Sequence, residues 1–215
     1  MAYRAVIFDL GGVVLPSPLD AFREYERREG LPHRFISEII VNSGDGGAWS
    51  QLERGEITLE AFANAFEAEC AAGGGTVQAD AMFSVLQGRG SASPEMVAAI
   101  ARIRDAGLKT AALTNNWVAD DGVGMRDRVP SLADLFDLII ESSNVGLRKP
   151  DPRIYELVCE QLDVEPASAI FLDDLGINLK PARAMGMRTI KVADPQVALA
   201  ELEAALGFPL GPERM

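Results

Sequence analysis

The chain opens on a short apolar run, YRAVIFD at residues 3–9, which ends at Gly11 and Gly12. An apolar run of this length closed by glycines predicts a buried parallel strand with Asp9 at its carboxyl end. The segment Pro16-Ser17-Pro18 then interrupts the pattern and predicts a linker. The chain is therefore expected to leave its first strand for a different part of the fold.

Between the linker and about residue 87, apolar side chains recur at helical spacing and strand signals disappear. Thr58 has the features of an N-cap, and Gly73-Gly74-Gly75 separates two helical patterns. Such a segment has the size of a small inserted helical bundle. We predict five helices, at 19–29, 34–42, 46–53, 59–72 and 79–86.

Strands and helices alternate in the rest of the chain. Ser93-Pro94-Glu95 predicts the start of a helix that Gly107 ends. The alternation predicts a doubly wound α/β core with a parallel sheet, built from residues 1–16 and 90–215, and a helical cap at 17–89. The later strands are predicted at 108–113, 138–141, 169–172 and 188–192, and the helices between and after them at 152–162, 179–185 and 195–206.

Composition narrows the range of partners. The 215 residues carry a formal net charge of −12, which disfavours nucleic acid and membranes as partners. Cys70 and Cys159 are far apart and indicate neither a disulfide framework nor a zinc site, and a single histidine, His33, argues against a histidine-based triad. With no targeting or membrane-spanning segment in the sequence, we expect a cytoplasmic monomer or homodimer.

Polar residues with complementary chemistry follow four predicted strands. They are Asp9, the pair Thr114-Asn115, Lys149 in the sequence GLRKPDP, and the pair Asp173-Asp174. Any one of them alone would be interpreted as a turn residue or helix cap. Because ligands bind at the carboxyl ends of strands in such sheets, we expect all four to meet at one edge.

The chemistry that these residues suit is phosphoryl transfer. A carboxylate can attack phosphorus and form an acyl phosphate, which divides one difficult step into two. A hard cation such as Mg²⁺, bound by one or two carboxylates, reduces the repulsion between the two anions. Asp9 and Asp174 could supply those carboxylates, while Lys149, Thr114 and Asn115 could contact the phosphate oxygens.

These four segments resemble the motifs of the haloacid dehalogenase superfamily. FDLGGVV, LTNNW, RKPDPRIY and FLDDLGINLKPARAMGM resemble its first to fourth motifs in order, and WSQLERGEIT at 49–58 is typical of its helical caps. The second and fourth motifs resemble most the N-terminal phosphatase domain of soluble epoxide hydrolases and the related domain of acyl-CoA dehydrogenase fusions. The resemblance implies a Rossmann-like core with an inserted helical cap.

The resemblance also implies a role for each residue of the site. Asp9 would attack phosphorus and bind Mg²⁺, Gly11 would offer its backbone carbonyl to the metal, Asp174 would be the main fourth-motif ligand, and Asp173 would bind the metal directly or through a neighbour. Thr114, Asn115 and Lys149 would hold a small phosphorylated metabolite, with Thr114 and Lys149 also counted as catalytic.

One position departs from the family pattern. Most phosphatases of the superfamily carry a second Asp two residues after the nucleophile, where it acts as general acid and base, and this chain has Gly11. A backbone conformation that only glycine accepts would explain the difference. Three alternatives stay open: a phosphatase that uses good leaving groups or another acid such as Asp120 or Asp121, a metal-independent haloacid dehalogenase, or a binding or regulatory protein with weakened catalysis.

Overall fold

The structure, a computed structural model, describes residues 2–87, 91–118 and 134–211. Five short strands form one sheet in the order β3-β2-β1-β4-β5, and all four neighbouring pairs are parallel. The predicted doubly wound parallel sheet is confirmed. The strands are β1 at Ala5–Phe8, β2 at Lys109–Thr114, β3 at Leu138–Glu141, β4 at Ala169–Asp173 and β5 at Arg188–Lys191.

Five helices lie between β1 and the next helix of the core, in the segment that the sequence assigns to the cap. They surround a hydrophobic cluster of their own, in which Trp49 contacts Phe22, Phe62 and Phe66. The cap limits at 17–89 stay a prediction. The helices are α1 at Pro18–Glu29, α2 at Phe35–Ser43, α3 at Ala48–Glu53, α4 at Leu59–Ala72 and α5 at Ala79–Gln87.

The remaining helices of the described residues pack on the two faces of the sheet. They are α6 at Pro94–Asp105, α7 at Ser142–Val145, α8 at Pro152–Leu162, α9 at Gly176–Ala184 and α10 at Pro195–Leu206. All four side chains of β1 are fully buried, because Val6 and Phe8 join the cluster on the α6 and α10 face while Ala5 and Ile7 join the cluster on the α8 face. Burial on both faces explains why this strand is uninterruptedly apolar.

Several cap helices begin where a distant carboxylate satisfies their first backbone N–H groups. The Glu26 carboxylate accepts hydrogen bonds from the N–H groups of Arg34 and Ile36, both at 2.9 Å, at the start of α2. Glu69 accepts from the Ala48 N–H at the start of α3. Helix N-termini leave such groups unpaired and favour negative charge, so these acids stabilise the cap from within.

The predicted helix boundaries differ from the observed ones in three places. Residues 44–46 form a separate 3₁₀ turn, so α3 begins at Ala48 rather than at residue 46. Helix α9 begins at Gly176 instead of residue 179, and it contains Pro181. Helix α7 is short and was absent from the prediction. In the described part of the chain, no helix combines the length and apolar character that a membrane crossing requires.

Candidate active site

Two of the four predicted strand ends, those of β1 and β4, lie side by side at the centre of the sheet. Asp9 follows β1 directly, and its N–H donates to the Leu172 carbonyl of the neighbouring strand β4. Asp173 is the last residue of β4, and Asp174 follows it. One carboxylate oxygen from each of the three acids lies within 4.8 Å of the other two. The parallel sheet therefore brings together the acids that the sequence analysis selected.

A buried cation lies among these acids. Lys149, in the loop between α7 and α8, is only 1% exposed. Its Nζ lies 2.8 Å from Asp9 Oδ1 and 2.8 Å from Asp173 Oδ2, and 5.6 Å from the centre of the Phe171 ring. Burial by itself would lower the pKa of Lys149, but the charges of Asp9 and Asp173 raise it above its usual value. Lys149 is therefore charged and bridges the first and fourth motifs.

Asp173 is committed to contacts inside the protein. In addition to Lys149, its carboxylate accepts from the Leu175 N–H at 2.7 Å and from Asn178 Nδ2 at 3.0 and 3.1 Å. The residue is fully buried. These contacts fix the position of Lys149, and they favour the alternative in which Asp173 acts on a metal through its neighbours.

Asp174 has a more open setting, since its side chain is only partly buried. Its Oδ2 accepts from Ser17 Oγ at 3.3 Å. Gly12 lies against the same oxygen: its φ is +77°, and a Cβ on Gly12 would lie 2.2 Å from Asp174 Oδ2. Glycine is therefore required at position 12, for its backbone conformation and for the space that the carboxylate occupies.

The explanation suggested for Gly11 is wrong. Gly11 is absent from the residues with positive φ, and a Cβ there would meet only Pro18, at 3.3 Å from its Cδ. A small shift of the proline ring would admit a side chain. The conformational constraint lies on Gly12, and backbone strain does not account for the absence of an acid at position 11.

Thr114 and Asn115 reach the site in different ways. Thr114 ends β2 and is buried, with its hydroxyl donating to the Asn115 carbonyl over a long 3.4 Å. The Asn115 side chain forms two hydrogen bonds with the backbone of Lys149. Its Nδ2 donates to the Lys149 carbonyl at 3.0 Å, and its Oδ1 accepts from the Lys149 N–H at 2.8 Å. The Asn115 side chain thus positions the lysine segment, and its phosphate-binding role stays a prediction.

The charges of the site favour a divalent cation. Burial raises the pKa of Asp9, and the nearby carboxylates of Asp173 and Asp174 add to that effect while Lys149 opposes it. Burial and the charge of Asp173 raise the pKa of Asp174 to about 6. Burial makes the charged form of both carboxylates costly and the neighbouring acids repel them, and a bound cation would offset both effects. The donors are all oxygen atoms, as Mg²⁺ prefers.

A cleft of about 560 Å³ opens beside Asp174. Its walls come from the loop after β1, the start of α1 and the residues after β5, and they include Ser17, Arg23 and Lys191. A larger cleft of about 1010 Å³ lies beside Lys109 and Leu138, the first residues of β2 and β3. That position is at the opposite edge of the sheet, so of these two clefts the smaller one reaches the site, at Asp174.

The sequence left open whether Trp117 faces the substrate or belongs to the core, and it did not indicate the pair of Glu53 and Arg148. Trp117 packs against Trp49 and Phe83 of the cap cluster, with ring centres 5.9 and 5.2 Å apart. Glu53 of α3 lies 2.7 Å from the Arg148 guanidinium. The only local signals were the position of Arg148 next to Lys149 and that of Trp117 after the second motif. Asp120 and Asp121, named as alternative acids, lie outside the described residues.

Comparison with known families agrees with this geometry. The model for haloacid dehalogenase-like hydrolases matches residues 3–186. The chain belongs to this family. Residues 3–186 therefore form a hydrolase domain of this family.

Three curated relatives narrow the comparison. Acyl-CoA dehydrogenase family member 10 of Mus musculus is 43% identical over 212 residues, with 97% of this chain and 20% of that protein covered. Bifunctional epoxide hydrolase 2 of Sus scrofa is 37% identical, with 98% and 40% covered. Phosphatase MT3486 of Mycobacterium tuberculosis is 31% identical, with 89% and 88% covered. The chain spans less than half of the first two relatives.

Solved structures share the fold at low identity. One is a family enzyme from Bacteroides thetaiotaomicron in complex with magnesium and inorganic phosphate, with a TM-score of 0.61 at 20% identity and 88% and 94% of the two chains covered. Another is an L-2-haloacid dehalogenase from Xanthobacter autotrophicus, with a TM-score of 0.59 at 24% identity and 99% and 85% covered. The fold alone therefore does not distinguish a phosphatase from a dehalogenase.

Substitution at the two glycines should have unequal effects. We expect Gly12→Ala to cost roughly 1–2 kcal/mol of stability through its positive φ and to abolish Mg²⁺ binding, because the new methyl group displaces the Asp174 carboxylate. Gly11→Ala is the matched control and should keep both properties. Thermal unfolding and calorimetric titration with MgCl₂ test this; equal Mg²⁺ affinity in the two variants would contradict it.

The raised pKa of Asp174 predicts that the metal-free protein loses stability as the pH rises. The folded state binds a proton more tightly than the unfolded state, whose Asp pKa is about 3.8, so stability is lost as pH rises from there to about 6. Asp174→Asn should therefore stabilise the metal-free protein at pH 7 by on the order of 1 kcal/mol after allowance for solvent screening.

Urea unfolding of wild type and Asp174→Asn at pH 4 and pH 7 measures that effect, and the difference should vanish at pH 4. Added Mg²⁺ should stabilise the wild type and leave the variant unchanged. A variant that is less stable than wild type at pH 7 without metal would show that the carboxylate is not destabilised by its surroundings.

Proposed function

We propose that the chain is a magnesium-dependent phosphatase that hydrolyses small phosphorylated metabolites through an aspartyl phosphate at Asp9. The observation that carries the proposal is the grouping of three carboxylates around the buried Lys149, at the carboxyl edge of the sheet. A phosphate-bearing substrate needs a nucleophile, a cation and donors at one point, and these side chains meet all three needs.

Asp9 is oriented for attack by contacts on one of its oxygens. Oδ1 accepts from the Leu10 N–H at 2.7 Å and contacts Lys149 Nζ, and these contacts fix the plane of the carboxylate. We assign the attack on phosphorus to this fixed carboxylate. A bond forms between its oxygen and phosphorus, and the bond from phosphorus to the leaving oxygen breaks. Water then attacks the aspartyl phosphate, which releases inorganic phosphate and restores Asp9.

Mg²⁺ fits the donor set of Asp9, Asp174 and the backbone carbonyl of Gly11. When bound, it would offset the negative charge of the phosphoryl group and of the carboxylates. Asp173 would hold Lys149 in place, and the Thr114 hydroxyl with the Asn115 N–H would contact the phosphoryl oxygens. The Mg²⁺ and phosphate complex of the Bacteroides enzyme with the same fold supports this assignment, as does the phosphatase name of the Mycobacterium relative.

Gly11 sets the substrate class within this proposal. An Asp side chain at this position would protonate the leaving oxygen, and general acid–base catalysis of that kind contributes about 10²–10⁴-fold to the rate. Glycine has no group for the task. The preferred substrates should be acyl phosphates or esters of acidic alcohols, whose leaving groups depart without a proton from the protein.

The function is tested by assaying hydrolysis of p-nitrophenyl phosphate and acetyl phosphate with and without Mg²⁺. We expect turnover that requires the metal and that Asp9→Asn abolishes, because the amide cannot form the acyl phosphate. Chloride release from 2-chloropropionate without metal would instead support a dehalogenase. Tight phosphate binding without turnover of either compound would support a binding protein.

A restored acid provides a second test. Gly11→Asp should raise turnover of an alkyl phosphate such as glycerol phosphate by about 10²-fold or more, because its leaving group requires a proton. It should change acetyl phosphate turnover little. Gly11→Asn has nearly the same shape without the acid and serves as the control; equal gains in the two variants would show that the missing acid is not what limits the reaction.

A further inference from the structure

A polar junction joins the cap to the two core loops of the site. Glu53 lies at the end of cap helix α3, and one of its carboxylate oxygens contacts a residue in each of the two loops. Its Oε2 lies 2.7 Å from both Nε and the second terminal nitrogen of Arg148, and it accepts from Asn115 Nδ2 at 3.4 Å. The Glu53 side chain is 9% exposed and that of Arg148 18%. A charged pair so shielded from water is held far more firmly than an exposed surface pair.

The two core partners of Glu53 are tied to the candidate machinery. Arg148 directly precedes Lys149 in the chain, and the Asn115 amide bonds to both backbone groups of Lys149. The two adjacent cations thus contact different parts of the protein. Lys149 contacts the acids of the core, and Arg148 contacts Glu53 of the cap. If Glu53 moved, the movement would be transmitted to Lys149 in two ways: through Arg148 and the peptide bond that joins it to Lys149, and through the Asn115 side chain.

Two further contacts show that the cap lies close to the core at this place. The backbone at Gly55 approaches α7 so closely that a Cβ there would lie 2.4 Å from the Ser143 carbonyl oxygen. Trp49, one helical turn before Glu53 on α3, contacts Trp117 of the loop after β2. Residues four apart share one face of a helix, so α3 presents an aromatic and an acidic side chain to the core together.

Arg148 has a poor substitute for Glu53. The other carboxylate near its guanidinium is that of Asp45, at 3.9 Å and on a side chain that is 92% exposed. Exposed pairs of this kind contribute little. Without the Glu53 charge, Arg148 would retain no close anionic partner among these residues, and the segment that carries Lys149 would lose its tie to the cap.

We propose that Glu53 is a positioning residue of the active site. Its ion pair with Arg148 and its bond to Asn115 set the position of the cap on the core and hold Lys149 against Asp9, so that docking of the cap completes the site. The catalytic consequence rests on the proposed phosphatase function, whereas the structural consequence does not.

The test compares Glu53→Gln, Arg148→Gln and the double variant with wild type. Glu56→Gln is the control, because it removes one negative charge from the same cap segment on an exposed side chain. Steady-state hydrolysis of p-nitrophenyl phosphate with Mg²⁺ separates kcat from KM. Near-ultraviolet circular dichroism of Trp49 and Trp117, the only tryptophans in the chain, reports cap position without substrate or metal, and far-ultraviolet spectra report folding.

We expect each single variant to lose about tenfold to a hundredfold in kcat, with little change in KM, to lose the near-ultraviolet tryptophan signal, and to keep its far-ultraviolet spectrum. The double variant should be no worse than either single variant, since both remove the same pair. The Glu56→Gln control should behave as wild type. A purely structural role would lower the unfolding temperature and leave kcat of the folded protein unchanged.

Three results would overturn the proposal: unchanged kcat in Glu53→Gln, losses that multiply in the double variant, or a kcat loss with an unchanged tryptophan signal. If wild type proves inactive on every phosphate ester, the proposed function fails, and the tryptophan spectra still decide the positioning role. In that case a signal lost equally in the single and double variants supports it, and an unchanged signal refutes it.

Discussion

The ammonium group of Lys149 is the interaction on which the site depends. It lies 2.8 Å from carboxylates of two neighbouring strands in a position almost without solvent. The buried carboxylates of Asp9 and Asp173 could not lie so close without a compensating charge, and the lysine could not be buried without them. The contacts of Asp173, Asn178 and Asn115 can all be understood as means of keeping this cation in place.

Three consecutive side chains of the loop after β2 contact three different parts of the molecule. Asn115 bonds to the Lys149 backbone, Asn116 donates to the buried Glu141 carboxylate at 2.6 Å, and Trp117 packs into the cap cluster. A segment held at both ends and in the middle has little freedom. The hydroxyl of Thr114, which precedes it, therefore stands in a preorganised setting, and such a setting is what electrostatic stabilisation of a phosphoryl group requires.

The sequence was sufficient for what depends on local pattern. The parallel sheet and the meeting of Asp9, Asp173 and Asp174 follow from apolar runs and from the rule that strand ends share an edge. The pair of Glu53 and Arg148 could not be predicted, because it joins segments far apart in the chain and no local pattern indicates that the two residues meet. The start of α3 was misplaced for the same reason, since its capping acid, Glu69, lies on another helix.

The place of the cap in the chain also has a consequence for how the protein reaches its native state. Ala5 of the central strand pairs with Lys109 on one side and with Ala169 on the other, so during synthesis β1 leaves the ribosome long before either neighbour exists. The buried residues of the cap cluster, in contrast, have all been made once α5 is complete. Contacts so distant in sequence form slowly. We therefore expect the cap to order first and the apolar strand β1 to be the segment that needs protection from aggregation.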